Sequence, residues 1–197
     1  MTFRIEQKFS IDSCRITDFK NYLEDKNIKQ IYQRRKIKSL YFDNNNFGMY
    51  NDSVEGLTPR KKIRLRTYPK TKDLNQYLEI KISSVEGRFK TSNIINTNKY
   101  NFFKTKGILD LQYGLCKPCL YVVYDREYFI MNDVRISIDN NISYMPKYKN
   151  VYQREYGSIV EIKTGAKKEL DELTNDFPFQ KIRYSKYCNA VEKTLLR

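Results

Sequence analysis

Residues Lys61–Tyr68, KKIRLRTY, alternate between cationic and apolar side chains. In an extended strand Ile63 and Leu65 face one way, while Lys62, Arg64 and Arg66 face the other. Alternation at period two excludes an amphipathic helix, whose apolar positions recur every three to four residues. The segment is thereby committed to a sheet with one apolar face and one charged face. A single strand of this kind is ordinary, since antiparallel sheets often keep one face in water. Here the pattern recurs along the whole chain.

In Thr2–Ile11, residues Phe3, Ile5, Phe9 and Ile11 oppose Arg4, Glu6, Lys8 and Ser10. A helix capped by Thr17-Asp18 is predicted to run to about Asn27, with Phe19, Tyr22 and Leu23 buried. Ile31–Asp43 reads as a second strand, and the polar stretches Asn44–Asn46 and Asn51–Pro59 as loop. Gln76–Ser83 sets Leu78, Ile80 and Ile82 against Tyr77, Glu79 and Lys81. Gly87 then turns the chain into a hairpin partner on which Arg88 and Lys90 share a face. Asn98–Leu111 is a predicted helix with Phe102, Phe103 and Leu109 inward. Along Leu120–Ile130, residues Leu120, Val122, Tyr124, Arg126 and Tyr128 share a side, and Met131–Asp133 turns. Val134–Asp139 sets Val134, Ile136 and Ile138 against Arg135, Ser137 and Asp139. After a polar loop at 140–157, Ser158–Thr164 sets Val160 and Ile162 against Glu161 and Lys163. Lys167–Asn175 is a predicted helix, Phe179–Arg183 a strand, and Ser185–Leu196 a helix whose stripe includes Tyr187, Val191 and Leu195.

The 197 residues suit one domain without a linker or internal repeat. Lys and Arg number 37 against 23 Asp and Glu, a net charge of +14, which calls for an anionic partner. There is no histidine, so Ser-His and Cys-His catalysis, His-ligated metals and imidazole acid-base chemistry are excluded. No apolar run approaches the ~20 residues of a spanning helix, and no secretory signal is recognisable, so a cytoplasmic protein is expected. Cys116-Lys-Pro-Cys119 is a CxxC, but zinc needs a second pair, which Cys14 and Cys188 supply only by folding together. Ordinary thiols in a turn are the simpler expectation.

The charged faces share one composition, Arg and Lys with an occasional single Glu, as in Arg4/Glu6/Lys8, Glu79/Lys81 and Glu161/Lys163. Ordinary antiparallel sheet with charges in water accounts for each strand alone. Taken together, with apolar helices interspersed, they point to an α+β fold. Its sheet is expected to close into an antiparallel β-barrel, a tunnel of about eight strands with helices packed outside. Cations crowded in such a lumen repel one another unless a polyanion and a metal ion fill it. Arginine's planar fork pairs with phosphate oxygens, and a few carboxylates, Glu161, Glu6 and Glu79, are candidates to seat a divalent cation.

At these residues the chain resembles the catalytic domain of the vacuolar transporter chaperone (VTC) polyphosphate polymerases, within the CYTH-like triphosphate tunnel metalloenzymes. The resemblance rests on Glu6-x-Lys8, Tyr41-Phe42-Asp43, Arg64-x-Arg66, Glu79-x-Lys81, Gly87-Arg88-Phe89-Lys90, Tyr124-Asp125-Arg126, Arg135, Glu161-x-Lys163 and Arg183-x-Ser185-Lys186-Tyr187. It implies catalytic or phosphate-holding cations at Arg64, Arg66, Lys81, Arg126 and Arg135. Lys8, Tyr124 and Lys163, with Lys90 or Arg88, join them as substrate-binding residues. Glu161 takes Mn²⁺ or Mg²⁺. Arg183, where the family pattern has lysine, shapes a tunnel mouth with Ser185 and Lys186. Neither the SPX regulatory domain nor the membrane helices of the eukaryotic members is recognised, so their regulation and export coupling are not carried over.

The implied reaction moves the γ-phosphoryl group of ATP onto inorganic polyphosphate or pyrophosphate. The attacking phosphate oxygen is already anionic, so this mechanism needs no histidine. Two rivals remain: a triphosphatase of the same fold, and a non-catalytic module binding polyphosphate or a 5′-triphosphate end. Nucleic acid is a less fitting partner, because the cations alternate with Ile, Val and Leu inside strands instead of lying on loops among stacking aromatics.

Overall fold

A computed structural model describes residues 5–69, 74–131, 133–150, 152–165, 171, 174 and 180–196. The elements are β1 (Ile5–Ile11), α1 (Ile16–Asp25), β2 (Lys29–Asp43), α2 (Gly48–Glu55), β3 (Arg60–Thr67), β4 (Gln76–Ser84) and β5 (Gly87–Ile95). They continue with α3 (Thr97–Lys106), β6 (Ile108–Asp110), β7 (Gly114–Met131), β8 (Val134–Pro146), β9 (Gln153–Arg154), β10 (Ser158–Thr164), β11 (Gln180–Lys181) and α4 (Lys186–Thr194). The fold is α+β, a large antiparallel sheet with few helices. Strands follow one another in the order β11-β1-β10-β8-β7-β2-β3-β4-β5, with β6 on β7 and β9 on β8. Among the described residues this path ends at β11 and β5, so of the expected barrel the structure shows the antiparallel sheet. The helix expected at Lys167–Asn175 lies outside the described residues apart from Asp171 and Thr174. No helix among the described residues is long and apolar enough to cross a membrane.

The chain forms two compact units. The first comprises Met1–Arg35, Tyr124–Ile142 and Arg154–Tyr184; the second comprises Lys36–Val123, Ser143–Gln153 and Ser185–Arg197. In the first unit β10 lies between β1 and β8, both antiparallel to it. Phe9, Ile11, Ile136, Ile138, Val160 and Ile162 form the apolar face, packed with Phe19 and Leu23 of α1. Phe19 and Leu23 are 1 % and 0 % exposed, and burial of each contributes about 2 kcal/mol. Helix α1 begins one residue before Thr17-Asp18, with no side-chain cap. Asp18 lies inside the first turn, where its charge favours the positive end of the helix dipole.

In the second unit the register sets Leu65 between Leu40 and Leu78, and Ile63 between Phe42 and Ile80. The apolar positions read from KKIRLRTY thus meet apolar partners on both neighbours. Strands β4 and β5 pair from Ser84↔Gly87 to Gln76↔Ile95, a hairpin turning through Val85-Glu86. Gly87 has φ +144°, and a Cβ added there would meet nothing within 4 Å; its backbone conformation, not space, demands glycine.

Helix α2 occupies a stretch expected to be loop. Its first N–H groups are satisfied from a distance: Asp43 Oδ1 accepts from Met49 N at 3.0 Å, Asp43 Oδ2 from Tyr50 N at 3.0 Å, and Asn44 Oδ1 from Gly48 N at 2.8 Å. The residue at the cap itself, Phe47, supplies no side-chain bond, so a search for an adjacent cap misses this helix. Helix α3 starts on Asn96, whose side chain accepts from Lys99 N. It stops at Gly107, where a Cβ would lie 2.5 Å from the Cys116 carbonyl oxygen. The chain turns there into β6, so the expected helix to Leu111 is cut short, and Phe102 and Leu109 are 58 % and 79 % exposed instead of inward. The loop expected from residue 140 begins later, because β8 continues to Pro146.

Cys116 and Cys119 lie within β7, not in a turn. Three positions apart on a strand, they face opposite sides; Cys116 Sγ contacts Gly114 O and Cys119 Sγ contacts Tyr41 O. Burial pushes the Cys116 thiol up to about 12. All four cysteines are free.

Candidate functional site

In the first unit the sheet face opposite the core carries Glu6 and Lys8 from β1, Glu161 and Lys163 from β10, and Arg135, Ser137 and Asp139 from β8. Arg126 of β7 joins them. The register sets Lys8 beside Glu161, Glu6 beside Lys163, and Lys163 beside Arg135. The Arg126 guanidinium grips Asp139 with both arms, Nε to Oδ1 at 2.5 Å and Nη2 to Oδ2 at 2.7 Å. Its Nη2 is also 3.8 Å from Glu161 Oε2. Lys163 Nζ is 2.7 Å from Glu161 and 3.9 Å from Glu6, and Lys8 Nζ is 3.2 Å from Glu6. Lys8 also donates to the Tyr184 carbonyl at 3.0 Å.

Burial opposes the charge on Arg126, and Asp139 outweighs it, holding the guanidinium ionised. Burial also favours a neutral Glu161, but Arg126, Lys163 and Lys8 overcome it and keep that carboxyl well below the usual range. Lys163 thus places an ammonium between two carboxylates, where a small cation is already accommodated. A Mg²⁺ or Mn²⁺ ion is commonly held by one or two carboxylates plus substrate phosphate oxygens, and Glu161 with Glu6 fits that donor set. Among the described residues no cluster of three His, Cys, Asp or Glu is placed to hold a metal by itself.

In the second unit β3, β4 and β5 align Lys62, Lys81 and Lys90 in one row, and Arg64, Glu79 and Ser92 in the next. Arg88, opposite Ser83, and Arg66, opposite Tyr77, lie on the same face. Glu79, 2 % exposed, anchors it. Arg64 Nε donates to Glu79 Oε2 at 2.7 Å, Lys90 Nζ lies 2.6 Å from Oε1, and Arg66 Nη1 lies 3.4 Å from Oε1. Burial alone would raise the Glu79 carboxyl, but Arg64, then Arg66 and Lys90, bring it down to about 2. Three cations around one carboxylate make Glu79 the anchor of the arginines.

Arg64 also donates through Nη1 to the Tyr41 hydroxyl at 2.7 Å. Tyr41 stacks on Tyr187 of α4, centroids 5.1 Å apart, and the Tyr187 hydroxyl donates to Asp43. Ser185 caps α4, accepting from Cys188 N at 3.3 Å, and accepts from Lys62 Nζ at 2.9 Å.

Of the expected site residues, the structure joins Glu6, Lys8, Arg126, Glu161 and Lys163 in the first unit. It joins Arg64, Arg66, Glu79 and Lys90 in the second. Arg135 and Arg183 in the first unit, and Lys81 and Arg88 in the second, are exposed. Tyr124 is buried beside Arg126, whose guanidinium carbon lies 5.3 Å from the ring centroid. Ser185 has a capping role beyond the one expected of it, and Lys186 is the half-buried first residue of α4. Asp139 and Tyr41 are site residues that sequence reasoning misses. The signal for Asp139 is an acid at the end of the Arg135/Ser137 alternation; for Tyr41, a tyrosine beginning Tyr41-Phe42-Asp43. Asp125, inside Tyr124-Asp125-Arg126, pairs instead with Arg34 at 2.7 Å and Asn141 at 3.0 Å.

The VTC domain family matches residues 3–109 and 105–195. No curated protein matches the chain. Among solved structures, a proposed adenylate cyclase from Bacillus halodurans superposes with a TM-score of 0.66 at 12 % identity, covering 99 % of this chain and 100 % of that one. A proposed adenylate cyclase from Vibrio parahaemolyticus gives 0.64 at 12 % identity, over 97 % and 98 %. The proposed adenylyl cyclase of Hippeastrum, for which a dominant triphosphatase activity is described, gives 0.63 at 13 % identity, over 98 % and 97 %. At such identities these likenesses concern the fold. The family match spans nearly all of the chain, which therefore belongs to the VTC domain family.

Proposed function

We propose that the protein is a metal-dependent polyphosphate polymerase of the cytoplasm. It transfers the γ-phosphoryl group of ATP to the end of an inorganic polyphosphate chain, within a tunnel closed around the polar sheet faces. The observation that carries this reading is the convergence of Arg64, Arg66 and Lys90 on the single carboxylate of Glu79, in a chain of the VTC domain family. Guanidinium and ammonium groups held in fixed geometry suit phosphate oxygens, and arginine donates to those oxygens in pairs.

In the proposed reaction a terminal phosphate oxygen of the acceptor attacks the γ-phosphorus, the bond to the β,γ-bridging oxygen breaks, and ADP leaves. The transition state is loose, so positioning and charge neutralisation carry most of the catalysis. Arg64, Arg66, Lys81 and Lys90, with Arg88, would hold phosphate oxygens, as would Arg126, Arg135, Lys8 and Lys163. Arg183, Ser185 and Lys186 would receive the acceptor or the emerging chain. When bound on Glu161 with Glu6 near, Mn²⁺ or Mg²⁺ supplies further positive charge to the phosphates.

The triphosphatase activity described for the Hippeastrum protein favours a second reading, hydrolysis of a triphosphate by water. Incubating the purified protein with ATP and either Mn²⁺ or Mg²⁺ separates the two. Polymer ladders on a gel support the polymerase; orthophosphate without polymer supports the hydrolase. ATP binding without turnover, unchanged in Glu161→Gln, supports a binding module and overturns both.

A further inference from the structure

Beside Arg126 the first unit carries two rings and a guanidinium, Tyr32, Tyr128 and Arg35, that the phosphate chemistry leaves unused. Tyr32 of β2 is 50 % exposed. It meets Tyr128 of β7 edge to face, with centroids 5.6 Å apart and planes at 88°. The Arg35 guanidinium lies 4.5 Å over the Tyr32 ring and 5.9 Å from that of Tyr128. Arg126 is 5.9 Å from the Tyr128 ring and 5.3 Å from the Tyr124 ring. From the exposed Tyr32 to the buried Tyr124, aromatic and guanidinium groups thus follow one another without a break.

Tyrosine that only fills a strand is buried, as Tyr144 is at 0 % exposure. Tyr32 instead presents half its surface to solvent with a planar cation held over its ring. A flat, exposed ring topped by a guanidinium, one tyrosine away from a cation assigned to phosphate, has the parts needed to hold a nucleotide by both ends. We propose that Tyr32 and Arg35, backed by Tyr128, form the subsite for the base of the nucleoside triphosphate. The inference rests on the reading of Arg126 as a phosphate-holding cation. The base stacks on the tyrosine ring or the Arg35 plane, while Arg126 addresses the phosphates. Stacking reads the π-face that every base has, so ATP and GTP bind alike.

The test compares affinities for ATP, GTP and inorganic tripolyphosphate by calorimetry, in the wild type, Tyr32→Ala, Tyr32→Phe and Arg35→Ala. Tripolyphosphate has no base and serves as the internal control for folding. Loss of one base-stacking partner is expected to weaken ATP and GTP about tenfold relative to tripolyphosphate in Tyr32→Ala and Arg35→Ala. Tyr32→Phe, which keeps the ring, retains the wild-type ratio. Equal weakening of all three ligands, or no weakening, overturns the subsite while leaving phosphate binding standing. A wild type that binds none of the three overturns the subsite and the proposed function together.

Discussion

Replacing Glu79 by Gln removes one buried charge and leaves Arg64, Arg66 and Lys90 facing one another. The carboxyl ionises at about 2 in the folded protein against an ordinary 4.5. Each pH unit of that difference is worth about 1.4 kcal/mol, so the ionised carboxylate contributes about 3 kcal/mol. With Glu79 only 2 % exposed, solvent screening removes little of it. Because the folded pKa is the lower one, the contribution is complete above about pH 4.5 and fades as pH falls towards 2. Urea unfolding of Glu79→Gln should therefore show a loss of about 3 kcal/mol at pH 7, about 1.5 kcal/mol at pH 3, and little by pH 2. If these cations receive phosphate, tripolyphosphate should also raise the unfolding midpoint of the variant more than that of the wild type. A deficit equal at pH 7 and pH 3, or under about 1 kcal/mol at pH 7, would refute the electrostatic reasoning.

Arg126→Ala is expected to lower triphosphate turnover about 10²- to 10³-fold. It strands Asp139, 0 % exposed, so adding Asp139→Asn should recover stability but not turnover; near-wild-type rates would remove Arg126 from the site. Asp43→Ala deletes the acceptor for Met49 N, Tyr50 N, Asn44 N and the Tyr187 hydroxyl, and should cost about 3 kcal/mol in denaturant unfolding. A cost below about 1 kcal/mol would show that α2 does not depend on this cap. Native labelling with a thiol reagent should modify exposed Cys14 quickly and buried Cys116 slowly, since thiolate is the reactive form; equal rates would contradict the raised Cys116 thiol.

Period-two alternation is enough to say which side of each strand meets the core. Ile63 and Leu65 are buried opposite Arg64, and the strand Ser158–Thr164 has the bounds read from its pattern. What alternation leaves open is the neighbour across the sheet. Nothing in either segment announces that Lys8 lies beside Glu161, or that Arg64 and Glu79 share a row, because register depends on all the strands at once. Helix α2 escapes notice since its cap comes from Asp43, outside the window where a cap is sought. Phe102 misleads for a related reason: its spacing suits a buried stripe, but Gly107 redirects the chain before that stripe meets a partner. In the sequence Asp139 reads as a solvated acid on a basic face; in the fold it is buried, with a two-armed contact to Arg126.

Arg64, Arg66 and Lys90 in one unit, and Lys8, Arg126 and Lys163 in the other, rest against carboxylates of the same chain, and this sets an entry requirement for any ligand. Chloride or a lone orthophosphate must displace a tethered partner such as Glu79 or Asp139, which loses little entropy by staying where it is. A chain of linked phosphates meets several cations in a single encounter and shares the cost of that exchange among them. On the proposed reading, resident acids would act as a filter on valency, sparing the protein from fouling by abundant small anions and reserving its arginines for multiply charged guests.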